Sequence, residues 1–118
     1  MEQYKMAKRN FIKLIKEVDK ETGEIVKQDT YLTPTFLSFR LIYEATSTMT
    51  DLEDQSERQA MDTMLQMVVD IYGGQFTKDE LIDGLNSTEA VEELESQISF
   101  VASGAMEDAR KKELDKLI

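Results

Sequence analysis

Carboxylates are the only reactive side chains that this sequence offers in quantity, with 24 Asp and Glu residues against 14 Lys and Arg. Asp79, Glu80 and Asp83 lie beside Gly84 and superficially resemble a calcium loop. However, the alternate-residue ligand spacing of an EF-hand and its terminal Glu are absent. Pairs of acids are also the machinery of glycoside hydrolysis, but a chain this rich in acids offers such pairs without any specificity. We therefore expect these carboxylates to cap helices and to face solvent.

The sequence contains no cysteine and no histidine. The absence of Cys excludes disulfides, thiolate nucleophiles and metal sites with cysteine ligands. The absence of His removes the commonest general base and the commonest transition-metal ligand. Gly73 and Gly74 are not followed by the Lys-Ser/Thr of a phosphate-binding loop. The sequence thus predicts a protein that is not an enzyme, with no catalytic residue, no metal site and no cofactor.

The charge is distributed unevenly along the chain. The formal net charge is −10, with −12 on residues 44–96 and +4 on residues 1–16. An acidic body repels nucleic acid phosphates and membrane surfaces, so neither is an expected partner, whereas a protein with a basic face would be attracted. The simpler interpretation, which we favour, is that the acids keep a small protein soluble.

The elements that position these residues are predicted to form a single domain over residues 1–118. No apolar run approaches the roughly 18 residues of a membrane span. The first ten residues lack the apolar segment of a secretion signal. We therefore expect a cytoplasmic protein.

The N-terminal third is predicted to contain a β-hairpin. Residues 1–9 are interpreted as a flexible basic arm and residues 10–32 as the hairpin. The apolar spacing of 11–18 fits a helix as well as a strand. A turn cluster around Gly23 and the alternating residues 25–32 favour the hairpin.

Residues 33–104 are predicted to form a helical body. Thr33 and Pro34 are typical of a helix start, and they predict a helix over about 34–47. A second helix is expected to begin after cap candidates Thr50 and Asp51 and to end at the glycine pair. This second helix is apolar on almost every side, which is typical of a central core helix or of one face of a homo-oligomer.

The last third contains two clear helix signals. Thr77 and Glu80 form a capping box for a short helix that ends near Gly84. Asn86 or Ser87 is predicted to cap the next helix, which should be interrupted at Gly104. Residues 105–118 are expected to be a charged C-terminal helix or tail. The predicted fold is α+β: mainly α with a small N-terminal β-hairpin, in a compact domain of about four to five helices.

Three segments together resemble the phage tail assembly chaperones of long-tailed phages and prophages of Gram-positive bacteria. They are N-F-I-K-L-I with E-T-G-E-I-V (10–26), Y-L-T-P-T-F-L-S-F-R-L-I-Y-E-A (31–45) and A-M-D-T-M-L-Q-M-V-V-D-I-Y-G-G-Q-F-T-K-D-E-L-I-D-G-L (60–85). The resemblance also extends to the acidic helix that follows, and it covers most of the chain.

This resemblance implies a non-enzymatic chaperone in the host cytoplasm. Such a chaperone would bind the tape measure protein, keep its apolar helices soluble and help to recruit tail tube subunits. Apolar helix faces would supply the binding surface. The partner-binding residues predicted on this basis are Phe36, Phe39, Tyr43, Met61, Met64, Met67, Val68 and Tyr72.

The main alternative rests on the −12 segment. An acidic protein can mimic DNA and inhibit a nucleic-acid-binding partner, either as a decoy or as a small helical adaptor. Such a protein predicts strongly salt-dependent binding, whereas the chaperone hypothesis predicts a larger apolar contribution.

Overall fold

The computed structural model describes residues 9–41, 43–44, 55–104 and 108–117. Within these ranges an antiparallel hairpin precedes a set of helices. The elements are β1 (Phe11–Val18), β2 (Ile25–Leu32), α1 (Glu57–Ile71), α2 (Lys78–Gly84), α3 (Ala90–Ser103) and α4 (Asp108–Leu117). Residues 39–41 and 43–44 are also helical. The predicted α+β fold with an N-terminal hairpin is confirmed.

The hairpin buries one face of β1. Ile12 and Leu14 are almost completely buried, as the strand alternation requires, so the helical alternative for this segment is wrong. The strands pair regularly from Phe11 opposite Leu32 to Ile15 opposite Gln28, and the register becomes irregular closer to the turn. Gly23 lies in that turn with a φ of 77°, which glycine adopts without steric cost.

The helix predicted to begin at Pro34 begins later. Residues 33–38 are not helical, and the first helical residue is Phe39. Thr33 does not cap a helix because its hydroxyl is buried and accepts a hydrogen bond from the Asn10 backbone N–H at 2.9 Å. The Thr33 N–H also donates to the Asn10 carbonyl oxygen at 2.9 Å, so Thr33 extends the base of the hairpin.

The base of the hairpin also contacts one residue of the predicted basic arm. Arg9, its last residue, donates two hydrogen bonds to the Thr33 carbonyl oxygen, at 3.0 and 2.7 Å. Residues 1–8 lie outside the described residues.

Helix α1 begins and ends with clear local signals. Ser56 is its N-cap and forms a capping box with Gln59, so the helix starts at Glu57. The predicted caps Thr50 and Asp51 lie outside the described residues. Beyond Ile71 the Gly73 and Gly74 N–H groups bond back to the carbonyls of Asp70 and Val69. The predicted glycine stop is confirmed, since both glycines have positive φ.

The signals around α2 and α3 are partly confirmed. Thr77 and Glu80 form the predicted capping box of α2. Gly104 ends α3 with a φ of 75°. The predicted cap of α3 is wrong, because Ala90 starts the helix and its N-cap Glu89 makes no side-chain capping bond. The Asn86 side chain instead accepts from the Thr88 N–H at 3.0 Å in a local turn before the helix.

The core lies between the buried face of β1 and helices α1, α2 and α3. Helix α1 packs on α3, and α2 packs on both β1 and α1. Thirteen buried apolar side chains form one cluster: Ile12, Leu14, Met64, Leu65, Val68, Ile71, Tyr72, Phe76, Leu81, Leu94, Ile98, Phe100 and Val101. The cluster unites the hairpin and the three helices around one apolar interior.

A buried amide stands at the centre of a polar network next to this core. The Gln97 side chain of α3 is fully buried. Its Oε1 accepts from the Tyr72 hydroxyl at 2.7 Å and from Asn10 Nδ2 at 3.2 Å. Its Nε2 donates to the Phe11 carbonyl oxygen at 2.8 Å and to Glu93 Oε2 at 2.7 Å. All four hydrogen-bonding positions of the amide are therefore filled.

Helix α4 joins this network through Arg110. The Arg110 guanidinium donates to both Glu93 carboxylate oxygens, at 2.8 and 3.3 Å, and to Asn10 Oδ1 at 2.8 Å. It also donates to the Phe11 carbonyl oxygen and lies 4.3 Å from the centre of the Phe11 ring. Leu114 is buried, and Glu113 pairs with Lys13. The polar C-terminal helix is thus held mainly by directed charged contacts.

A second ion pair links the hairpin to α2. Lys16 Nζ lies 2.6 Å from Glu80 Oε2. The hydrogen bond from Lys16, helped by the Thr77 backbone N–H, lowers the pKa of the Glu80 carboxyl, and the same bond raises the pKa of Lys16. The Lys16 ammonium also lies 5.5 Å from the centre of the Tyr31 ring.

Replacing the central amide should destabilise the fold. In Gln97→Leu the Tyr72 hydroxyl and the Asn10 amide both lose their acceptor. We expect a loss of roughly 2–6 kcal/mol in the free energy of unfolding, because each orphaned buried group costs about 1–3 kcal/mol. Urea unfolding measures it. The double variant Tyr72→Phe with Gln97→Leu should lose less than the sum of the two single losses, since it removes one orphan; an additive result would contradict the network.

Because of the Lys16–Glu80 pair, the difference in stability between the wild type and Glu80→Gln should depend on pH. Glu80→Gln keeps the capping box but removes the charge. Because the folded-state pKa of Glu80 is lowered, its contribution is present at neutral pH and disappears as the pH falls through that pKa. The variant should therefore be less stable than the wild type at pH 7 and should converge with it under acid. Chemical unfolding between pH 7 and pH 3 tests this. Glu95→Gln, at an exposed position of α3, is the control and should follow the wild-type curve.

Candidate protein-binding surface

The described residues form no cluster of three or more His, Cys, Asp or Glu side chains that could hold a metal ion. None of the described helices combines the length and apolar character needed to cross a membrane. Exposed apolar side chains mark protein-binding surfaces when they are grouped.

Among the described residues, the most exposed aromatic side chains lie in a short segment after the hairpin. Phe36, Phe39 and Tyr43 expose 79%, 72% and 68% of their surface. Phe39 and Tyr43 are four residues apart in the helical part of the segment, so they share one face. We call these three residues the aromatic stripe.

The stripe is held in place by its apolar neighbours. Leu37 and Leu41, also four residues apart, pack against the core. They anchor the segment and leave the stripe pointing away from the core. Arg40 and Glu44 form an exposed ion pair at 3.6 Å. The segment is therefore amphipathic, but its larger apolar side chains are on the solvent side.

An acidic cleft runs between this segment and α1. The cleft has a volume of about 410 Å³, and its lining includes Glu44, Asp62, Gln66 and Asp70. Asp62, Gln66 and Asp70 form an exposed polar strip along α1. The acids next to the stripe would attract the basic residues that flank an apolar partner helix.

The α1 residues predicted to bind a partner are divided by burial. Met61 is 40% exposed, and Met67 is partly buried against the core. Met64, Val68 and Tyr72 are corrected to core residues, with exposures of 6%, 0% and 0%. Burial raises the pKa of the Tyr72 phenol, whose hydroxyl is committed to Gln97. These three side chains offer no surface to a partner, because the apolar face of α1 packs on α3 and α2.

A second groove lies on the face of the hairpin that points away from Ile12, Leu14 and the core. It has a volume of about 440 Å³ between β1, the loop after α2, and α4. Phe11, Ile15 and Ile25 contribute apolar surface, and Lys13, Arg110 and Glu113 surround it with charge. Sequence reasoning missed this groove, since it exists only when α4 returns to the hairpin.

A family model described as "Phage tail chaperone protein" matches residues 6–117. The chain belongs to this family. Searches among curated proteins and among solved structures gave no match. Family membership indicates a role in phage tail assembly that depends on protein partners.

Sequence reasoning also missed the central residue of this tail chaperone, Gln97. The signal was available, because Gln97 occupies the i+3 position from Leu94 and the i−4 position from Val101. A polar side chain within an apolar helical face is buried with the face, and a buried polar group normally has hydrogen-bond partners. Val91, three residues before Leu94, is 44% exposed and does not belong to the buried face of α3.

The difference in burial along α1 predicts a large loss of stability at Met64 and a small one at Met61, three residues earlier. Met64→Ala should lower the free energy of unfolding by about 2–5 kcal/mol, since it leaves a cavity in the core. Met61→Ala should change it by less than about 1 kcal/mol, because the side chain is exposed. Thermal or urea unfolding of the two variants measures the difference. Equal losses would show that both methionines lie in the same environment.

Proposed function

We propose that this tail chaperone binds the tape measure protein in the host cytoplasm, keeps it soluble and helps to recruit tail tube subunits. The observation that carries the proposal is the aromatic stripe: three large aromatic side chains are exposed on an otherwise well-packed, acidic protein. Family membership supports a chaperone of tail assembly. The stripe supplies the kind of surface that such a chaperone needs.

The proposed partner needs its apolar surface covered before the tail is assembled. A tape measure protein is a long helical chain, and its apolar stripes have no cover until the tail tube encloses them. An amphipathic helix of this kind can lie against exposed aromatic side chains. Each aromatic ring that becomes covered removes a large apolar area from water, and such rings are the usual energetic centres of interfaces.

The acidic body contributes to the same task. The formal net charge of −10 makes complexes repel one another and so keeps them dispersed. Asp62 and Asp70 stand close to the segment that carries the stripe, where they would attract basic residues of the bound helix. Apolar contact would therefore supply affinity, and charge would supply solubility and orientation.

The alternative DNA-mimic hypothesis makes a different prediction about salt. Contacts that replace phosphates lose affinity steeply as salt rises. Burial of the aromatic stripe would be much less sensitive to salt, because it is apolar. The exposed stripe favours the chaperone hypothesis, since a decoy of nucleic acid has no use for three exposed aromatic rings.

Charged substitutions in the stripe should impair tape measure binding. We expect Phe39→Asp and Tyr43→Asp each to weaken binding of a tape measure fragment at least about tenfold, because truncating a central aromatic residue of an interface commonly costs 2 kcal/mol or more. Co-expression provides a second readout: the tape measure protein should move from the soluble fraction to the pellet. Calorimetry at two salt concentrations measures affinity and separates the two hypotheses.

Ile82→Asp is the matched control, because Ile82 is an apolar residue of α2 with 54% exposure. It should leave tape measure binding unchanged. Circular dichroism must show that all three variants are folded. Wild-type affinity in the folded Phe39→Asp and Tyr43→Asp variants would refute the stripe as the binding surface. Capture of tail tube subunits by the chaperone–tape measure complex, compared with either protein alone, tests the recruitment step.

A further inference from the structure

Strand β2 is the outer strand of the hairpin. The sheet formed by the described residues contains only β1 and β2, and α2 packs against β1. Five of the eight β2 residues are exposed, and Ile25 and Val26 expose 54% and 58% of their surface. An edge strand of this kind presents unpaired backbone N–H and C=O groups to any strand that can approach it.

The charges on this edge are self-complementary. A lone lysine on an edge strand discourages pairing with another strand. Here Lys27 is followed two residues later by Asp29, so both side chains project on the same side of the strand. Among the described residues, neither side chain takes part in an ion pair. Both charges therefore remain available to a second strand.

We propose that two copies of this tail chaperone pair through their β2 edges in an antiparallel, two-fold arrangement centred on Gln28. In that register Lys27 lies opposite the partner's Asp29, and Asp29 lies opposite the partner's Lys27. The two hairpins would become one four-stranded sheet with β1 on the outside. A two-fold interface uses the same surface patch on both copies, which is why the pattern must be self-complementary.

The residues flanking this centre fit the same register. Val26 would lie opposite the partner's Thr30, and Ile25 would lie opposite the partner's Tyr31. Pairs of β-branched and aromatic side chains stabilise antiparallel strands. The pairing would also cover part of the exposed surface of Ile25 and Val26.

The overall charge favours this edge as the meeting point of two copies. Residues 10–32 carry four lysines and five carboxylates, a formal net charge of −1. Residues 33–118 carry −11. Two acidic molecules that approach through their hairpins therefore avoid most of their mutual repulsion.

Charge exchange tests this arrangement independently of tape measure binding. By sedimentation velocity, the wild-type protein should approach twice its chain mass of 13.6 kDa as its concentration rises. Lys27→Glu and Asp29→Lys should each raise the dimer dissociation constant roughly ten- to hundredfold, because two attractive cross-strand pairs become repulsive. An equimolar mixture of the two variants should dimerise again, since both cross-strand pairs are then of opposite sign.

Dimerisation of the mixture would show that the single variants fail to dimerise because of charge repulsion and not because of a folding defect. The mixture contains the same two substituted chains that were measured separately. Lys20→Glu, in the turn, is the matched control and should sediment like the wild type. A wild-type protein that stays monomeric over the whole concentration range would overturn the proposal. Single variants that remain dimeric, or a mixture that stays monomeric, would also overturn it. None of these outcomes depends on whether the aromatic stripe binds a tape measure protein.

Discussion

The structure depends on one buried amide. Gln97 brings together the start of β1, the end of α1 and the body of α3, and Glu93 and Arg110 extend that junction to α4. Apolar burial supplies most of the free energy of such a fold, but it is not directional. The amide is directional, because it is satisfied only when Asn10, Phe11 and Tyr72 stand at specific positions around it. Among the described residues no buried side-chain nitrogen or oxygen lacks a partner, which is the condition under which a polar core is stable.

The elements that supply the core explain why a small protein can have exposed aromatic residues and still be well packed. The core is completed by side chains from β1, α1, α2 and α3, so the segment after the hairpin needs to contribute only Leu37 and Leu41. Phe36, Phe39 and Tyr43 lie outside this core and remain on the surface. The acidic composition offsets the aggregation risk that such a surface carries. The proposed function, the binding of apolar helices, requires both properties.

Local signals in the sequence were reliable where a single residue type has a single physical role. Gly23 in the turn, the glycine pair after α1 and the capping box at Thr77 were predicted correctly, because positive φ and orphan helix N–H groups have few solutions. The failures occurred where one residue type has several roles. Thr33 and Asn86 are both good helix caps in isolation, yet Thr33 closes the hairpin and Asn86 forms a turn. For Thr33 the competing partner is Asn10, 23 residues away and outside any local window. For Asn86 the competing partner is Thr88, and the sequence did not show that this turn would replace the cap.

For the candidate site, too, the sequence alone did not determine which of several roles each residue has. The sequence alone determined a small α+β protein with an acidic body, no cysteine or histidine chemistry, and apolar helices rich in aromatic residues and methionine. It also carried the resemblance to tail chaperones, which the family match confirms. Only the tertiary structure decided which apolar residues face solvent, because both α1 and the segment before it have apolar residues on nearly every side. Packing of α1 on α3 removed Met64, Val68 and Tyr72 from the surface, while the anchoring of Leu37 and Leu41 left the aromatic stripe outside. Burial depends on what lies across the core, and that is a property of the whole fold.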